Sequence, residues 1–356
     1  MSAGTAELPA RMRALRLVEW AARPQLVEVD VPVPEGREVL VRVEAAGLCQ
    51  SDLHIVDAPA GALPYEAPFT LGHEIAGTVA AAGDDVDPAV LGTTVVVHGV
   101  WGCGTCRNCR RGRESYCLEL ADGPVGGGLG RDGGLADFVL VPDVRHLVPT
   151  DGLAATAAAP LTDAGLTAQH AVRRHRAQAE GGTTVLIGVG GLGHLALQVL
   201  RALPDTAVVA VEPRPAARDL ALRLGARAAV ADVADVAAEL PALGRGPGAD
   251  LVLDFVGSPT TLAAAPELLA PGGTVVVVGS GGGQVGVAKG RLANGWTVDA
   301  PFWGHHSDLV DVVALAQRGT VTAEVHTYPL ADALTALDDL RAGRVQGRAV
   351  VVPGDT

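Results

Sequence analysis

Residues 183–200 read TTVLIGVGGLGHLALQVL and constrain this chain more than any other stretch of it. A run of β-favouring apolar residues gives way to Gly188, Gly190 and Gly193, then to apolar residues at helical spacing, so the segment predicts strand, tight turn and helix. Glycines in that pattern permit the turn, the close approach of a pyrophosphate and the packing of helix on strand, while the helix start offers free amides to the anion. The spacing alone is weak evidence. Here a second strand, Ala207–Val211, ends in Glu212, nineteen residues past Gly193. A carboxylate at that offset accepts hydrogen bonds from both adenosine ribose hydroxyls and repels a 2′-phosphate, which points to NAD rather than NADP. Arg214 pulls the other way, because a nearby arginine could hold a 2′-phosphate. Further strands are predicted at 228–230, 250–255 and 273–279, alternating with helices at 216–224 and 260–269. The result is an α/β fold with a doubly wound parallel sheet. The Ala-rich tract 154–159 reads as the start of a helix.

A chain of 356 residues is long enough for about two domains. Hydrophobic residues make up 48% but aromatics only 3%, so Ala, Val and Leu must build the interior. The net charge of -13, with Lys289 the only lysine, excludes the basic face that a nucleic-acid backbone needs. Two charge-free stretches, 181–200 and 268–288, are long enough to span a bilayer, yet glycines break both, so they read as buried strands followed by turns. Arg11, Arg13 and Arg16 interrupt any secretory leader pattern, and the expected location is the cytoplasm, away from membranes.

Four of the five cysteines fall together as Cys103, Cys106, Cys109 and Cys117, spaced Cys-x2-Cys-x2-Cys-x7-Cys. In a reducing compartment this favours metal over disulfides. Four thiolates would give zinc a closed, structural tetrahedral shell, with Arg107, Arg110, Arg111 and Arg113 available to offset its charge. An iron–sulfur cluster is the alternative, but the Cys-Pro ending of the bacterial ferredoxin run is missing.

The fifth cysteine lies in Gly47-Leu-Cys49-Gln-Ser51-Asp52-Leu-His54, and Gly72-His73-Glu74 follows. Cys, His and carboxylate are zinc-ligand types, and a catalytic zinc needs three protein ligands and an open position, for which Asp163 in the run PLTDAGLT is a third candidate. Taken singly, each residue has a plainer role: Asp163 as the cap of a helix starting at Ala164, Ser51 as the cap of a short helix, and His73 as a core histidine.

Together with the cysteine cluster and the glycine turn, these motifs resemble the zinc-dependent medium-chain alcohol dehydrogenases along nearly the whole chain, most nearly the bacterial NAD-dependent secondary-alcohol enzymes with PLTDAGLT and Pro301-Phe-Trp-Gly304. The resemblance implies a GroES-like β-barrel catalytic domain over 1–165 and 304–356, carrying a structural zinc lobe at about 102–118, and a Rossmann domain over 166–303. It implies two zinc ions per chain. Cys49, His73 and Asp163 would hold the catalytic one, with Glu74 beside it as an occasional ligand and Asp52 orienting His73. Ser51 would hydrogen-bond the reacting alcohol and His54 would pass its proton to solvent. For the cofactor it implies Gly188, Gly190, Gly191, Leu192, Gly193, Glu212, Arg214, Thr167, Phe255, Val256, Gly279, Ser280, Trp303 and Arg348. Arg348 would help with the pyrophosphate, because Gln50 stands where some relatives have arginine. Tyr65, Trp101, Leu129, Phe302 and Trp303 would wall the substrate pocket.

The implied reaction is reversible hydride transfer between a secondary alcohol and NAD, with zinc as Lewis acid, in a homodimer or homotetramer whose other partner is a small alcohol or carbonyl compound. Two alternatives compete: reduction of imines or conjugated double bonds in a biosynthetic pathway, against which Ser51 and His54 argue, and NAD binding without turnover.

Overall fold

The computed structural model describes residues 8–120, 123–288, 290 and 292–354; Lys289 lies outside them. The chain divides into two compact units, Met1–Asp163 with Glu324–Thr356, and Ala164–Ala323.

The first unit is mainly antiparallel β. Its largest sheet has seven strands, running in order Leu147–Pro149, Thr94–Val97, Glu74–Ala82, Val39–Leu48, Arg348–Val352 and Val325–Pro329, with Phe138–Val141 also paired to Val39–Leu48. Period-two patterning sets the faces: in the central strand Val41 and Val43 are buried while Arg42 and Glu44 point to water. Met12, Ala14, Leu40, Ala136 and Phe138 form one core cluster. The last two strands of that order are parallel and are joined through the Ala333–Arg341 helix.

The second unit holds a six-stranded, wholly parallel sheet in the order Ala228–Val230, Ala207–Val211, Thr183–Ile187, Ala249–Asp254, Leu269–Val277, Thr297–Asp299. Numbered along the unit this is 3-2-1-4-5-6, the doubly wound order whose direction reverses between Thr183–Ile187 and Ala249–Asp254. The predicted strands and the 216–224 helix appear within a few residues of their places. The helix expected over 260–269 stops at Ala264 and tightens into a 3-10 turn over Ala265–Leu268, because Pro266 has no N–H to continue it. The 304–323 stretch, expected with the first domain, falls in the second unit: Asp308, on helix His306–Gln317, sits 2.8 Å from His170 and 2.6 Å from Arg173 of helix Ala164–Arg174. No helix among the described residues is long and apolar enough to cross a membrane.

Candidate active site

Cys49 follows the Val39–Leu48 strand and caps the Gln50–Asp57 helix. The Ser51 amide donates to Cys49 Sγ at 3.2 Å, and the Cys49 amide donates to Asp52 Oδ2 at 2.9 Å. The cap therefore turns the thiol inward and gives its sulfur a hydrogen bond. His73 arrives from the next strand over, just before Glu74–Ala82, after a turn at Gly72 with φ +91°. Its Nε2 lies 3.1 Å from Cys49 Sγ and 3.7 Å from Asp163 Oδ2, while Nδ1 faces Asp52 Oδ1 at 3.3 Å. A carboxylate on the Nδ1 side stands where it would orient the ring and leave Nε2 to a metal. Asp163 follows the short helix Ala159–Thr162. Ligand atoms of Cys49, His73, Glu74 and Asp163 all lie within 4.8 Å of one another.

This donor set fits zinc chemically, and its electrostatics call for a cation. Burial alone would push the His73 imidazolium down, yet Asp52, Cys49 and Asp163 outweigh it and hold the ring well above its ordinary 6.5. A cation at Nε2 would answer the same anions. Arg348, which the resemblance assigns to the cofactor pyrophosphate, is only 4% exposed and its guanidinium meets Glu74, through Nε at 3.1 Å and through Nη2, and Asp163 Oδ2 at 3.0 Å. Ser51 and His54 are both exposed, three residues apart on one helix and so on one face of it.

The four-cysteine lobe also fits zinc. Cys103 and Cys109 sulfurs are 3.9 Å apart and those of Cys106 and Cys117 are 4.0 Å apart. A tetrahedral shell with Zn–S of about 2.3 Å separates sulfurs by about 3.8 Å. Hydrogen bonds from the Thr105 hydroxyl and the Cys106 and Thr105 amides lower the Cys103 thiol to about 6. Of the five arginines around it, Arg107, Arg110, Arg111 and Arg113 are exposed, and Arg145, which the sequence did not single out, donates to the Gly102 carbonyl.

Tyr65, Trp101 and Leu129 gather round one glycine-rich turn near His73. A Cβ at Gly127 would touch the Trp101 ring at 3.0 Å, one at Gly128 would sit 2.8 Å from the His73 backbone nitrogen, and one at Gly130 would meet Tyr65 at 2.5 Å. Tyr65 also packs edge-on to Phe69, with ring centres 5.6 Å apart. Nothing in local sequence patterning identified this turn as the hub. Phe302 and Trp303 lie in the second unit, where Phe302 is 49% exposed and Trp303 adopts φ +53°.

In the second unit the glycines of the turn do different jobs. Gly188 has φ +89°, which favours glycine; a Cβ on Gly193 would collide with the Gly188 carbonyl; and one on Gly190 would meet nothing nearer than 3.9 Å, leaving room for a ligand. Gly191 and Leu192 complete the turn. Phe255 and Val256 follow the Ala249–Asp254 strand, and Gly279 and Ser280 follow Leu269–Val277, so they share the carboxyl edge of the sheet with Glu212. Thr167 is buried in helix Ala164–Arg174. Glu212 is 3% exposed and its carboxylate accepts from the Val189 amide at 3.0 Å and from Arg214 three times, through the amide at 3.0 Å, Nε at 2.8 Å and Nη2 at 3.2 Å. Burial would raise this carboxyl, but these donors hold it below its ordinary 4.5.

Comparison with known proteins agrees with this geometry. Residues 35–152 match the family model for the alcohol dehydrogenase GroES-like domain, and residues 191–318 match that for the zinc-binding dehydrogenase. An NAD-dependent alcohol dehydrogenase of Sulfurisphaera tokodaii is 36% identical over 352 residues, covering 96% of this chain and 100% of that one. A D-arabinose 1-dehydrogenase (NADP(+)) of Saccharolobus solfataricus is 32% identical, covering 96% and 98%. The crystal structure of the alcohol dehydrogenase from Aeropyrum pernix superimposes with a TM-score of 0.86 at 34% identity, covering 96% and 100%.

Proposed function

This chain belongs to the zinc-binding alcohol dehydrogenase family and is an oxidoreductase interconverting alcohols and carbonyl compounds, and from that premise we propose that it is a zinc-dependent, NAD-preferring enzyme acting on secondary alcohols. The observation that carries the reading is the convergence of Cys49, His73 and Asp163 on one buried point, with Asp52 behind the histidine. When bound, zinc there would supply Lewis acidity toward the substrate oxygen and the nicotinamide would accept the hydride. Ser51 would accept the alcohol's proton as it gives up its own to the cofactor ribose, and His54, one helical turn further along the same exposed face, would pass a proton from that ribose to water. Trp101, Leu129 and Tyr65 supply an apolar wall that keeps bulk water from the reacting carbon. Cys103, Cys106, Cys109 and Cys117 hold a second, structural zinc.

Glu212 supports the preference for NAD, as its charge repels a 2′-phosphate. Arg214 favours a second reading, in which NADP is also accepted, because its half-exposed guanidinium already covers that carboxylate. We place the enzyme in the cytoplasm as a homodimer or homotetramer, following the resemblance of its motifs. The test is a screen of small secondary alcohols with NAD and with NADP, following absorbance of the reduced cofactor. Turnover with several secondary alcohols, faster with NAD and abolished by chelation, is expected; turnover that survives removal of all but the four-cysteine zinc would overturn the reading.

A further inference from the structure

Asparagine is scarce in this chain. There are two, Asn108 and Asn294, and the second is followed by Gly295. Asparagine is one of the chemically labile side chains, and a following glycine leaves the next backbone nitrogen unshielded beside the carboxamide. In a folded protein the reaction between them needs water at the side chain, an uncommitted amide and a turn that opens. Residues 293–296 form the turn that enters the edge strand Thr297–Asp299. Asn294 and Gly295 are both exposed, and neither the Asn294 carboxamide nor the Gly295 amide has a hydrogen-bond partner among the described residues. Gly295 has φ +73°, the left-handed value such a turn asks of glycine, and a Cβ there would meet nothing nearer than 3.9 Å. Two bonds close the turn. The Trp296 amide reaches the Ala293 carbonyl at 3.5 Å, longer than the usual range, and the exposed Gly272 donates its amide to the Asn294 carbonyl at 2.8 Å. Exposed bonds of this kind open locally without global unfolding. Asn108 has the opposite surroundings: its Nδ2 donates to the Tyr116 carbonyl at 2.5 Å, and the amide that follows it, from Cys109, donates to Cys106 Sγ at 3.5 Å.

We propose that Asn294–Gly295 is a site of spontaneous deamidation in the folded protein, and that its product loosens the edge of the parallel sheet. The Gly295 nitrogen attacks Asn294 Cγ, and the new C–N bond closes a five-membered succinimide. The Cγ–Nδ2 bond breaks, and the Gly295 amide proton leaves with the Nδ2 group as ammonia. Water then opens the ring at either carbonyl, giving aspartate or isoaspartate. Isoaspartate routes the main chain through the former side chain and lengthens it by one methylene. Ala293 and Trp296, on either side, both pack against the core of the second unit, so the added length is taken up by loosening one of them or the Gly272 bond. Thr297, next along, pairs with Thr274 in the neighbouring strand and bonds its hydroxyl at 2.8 Å, so the strain passes to the edge-strand pairing. The turn precedes its strand and therefore lies at the amino edge of the sheet, opposite the carboxyl edge that carries Glu212.

The experiment ages the full-length protein at mildly alkaline pH, below its unfolding temperature, beside Asn294→Gln, whose longer side chain closes such a ring far less readily. Peptides are mapped at intervals by fragmentation that separates aspartate from isoaspartate, and a urea-denatured sample ages in parallel. In the native protein Asn294 is expected to turn progressively into both acids while Asn108 stays intact. The aged fraction, separated from the parent by its extra negative charge, should unfold at lower urea and bind NADH as the parent does. Asn294→Gln should keep its urea midpoint through the same incubation. Asn294 left intact in the native protein while the denatured sample converts, or Asn108 converting as fast, overturns the site. An aged fraction with the parent's urea midpoint, or an equal loss of midpoint in aged Asn294→Gln, overturns the link between this turn and the edge of the sheet.

Discussion

Asp163→Asn separates a metal ligand from a helix cap with the smallest change of shape. Asparagine keeps a side-chain oxygen, so a residue whose only task is to cap the helix beginning at Ala164 would tolerate it nearly without cost. In the structure the carboxylate is 15% exposed and lies 3.7 Å from His73 Nε2 and 3.0 Å from Arg348 Nη2. The substitution removes a negative charge that faces one cation already present and the site of a second. Taking one partner from such a largely buried charge pair costs about 3–5 kcal/mol. If that cost falls on the metal, zinc affinity drops about 10²- to 10⁴-fold. Arg348 keeps Glu74, so the surrounding strands retain their ion pair and the loss should stay local. Elemental analysis after dialysis against a weak chelator should find about one zinc per chain, alcohol oxidation should vanish, and NADH should still bind to the second unit, read by nicotinamide fluorescence. Retention of two zinc ions with turnover within a fewfold of the parent refutes the ligand assignment.

Three other substitutions probe the remaining parts. Glu212→Ala should lower the ratio of kcat/KM for NAD over NADP about 10- to 100-fold, since a charge-assisted hydrogen bond is worth about 1.5–3 kcal/mol; an unchanged ratio would transfer the discrimination to Arg214. Ser51→Ala should cut turnover about 10²-fold or more while NADH affinity stays put, and near-parental turnover would remove Ser51 from the proton path. Burial would raise the Asp308 carboxyl, but His170, the His305 amide and Arg173 hold it below its ordinary 3.8. A depressed carboxyl stabilises the fold above that value and ceases to do so as the pH falls through its lowered one. Asp308→Asn should therefore weaken the second unit by about 3–5 kcal/mol at pH 7 in urea unfolding, with the deficit narrowing below about pH 4; a deficit that does not change with pH would show that the charge is not its source.

What was legible in the sequence was local. The 183–200 run, the four close cysteines and PLTDAGLT each put their chemistry within a short window, and the parallel strands announced themselves by apolar runs between helical stretches. What was missed depends on distant pairings. Arg348 reads as a cation at a strand start, and only the strand order shows that it meets Glu74, 274 residues away, across a glycine. Arg145 lies beyond the cysteine lobe it supports, 43 residues from its partner Gly102, while the arginines inside the lobe face water. The helix starting at His306 looked like part of the returning segment because its length and polarity suit either unit; its tie to the second is a buried Asp308 contact with His170 that no window contains. Glu212 was readable as an acid at the right offset, but not the closure of its carboxylate by Arg214.

The central claim is that alcohol oxidation depends on zinc at Cys49, His73 and Asp163, and reconstitution tests it most directly. The protein is treated with chelator until one zinc per chain remains, freed of chelator, and titrated with zinc while NADH formation from a secondary alcohol is followed. The one-zinc protein is expected to be folded and inactive, with activity returning linearly and saturating at one added equivalent. Full activity with only the four-cysteine zinc in place, or no recovery on adding the second equivalent to protein that still binds NADH, would contradict it.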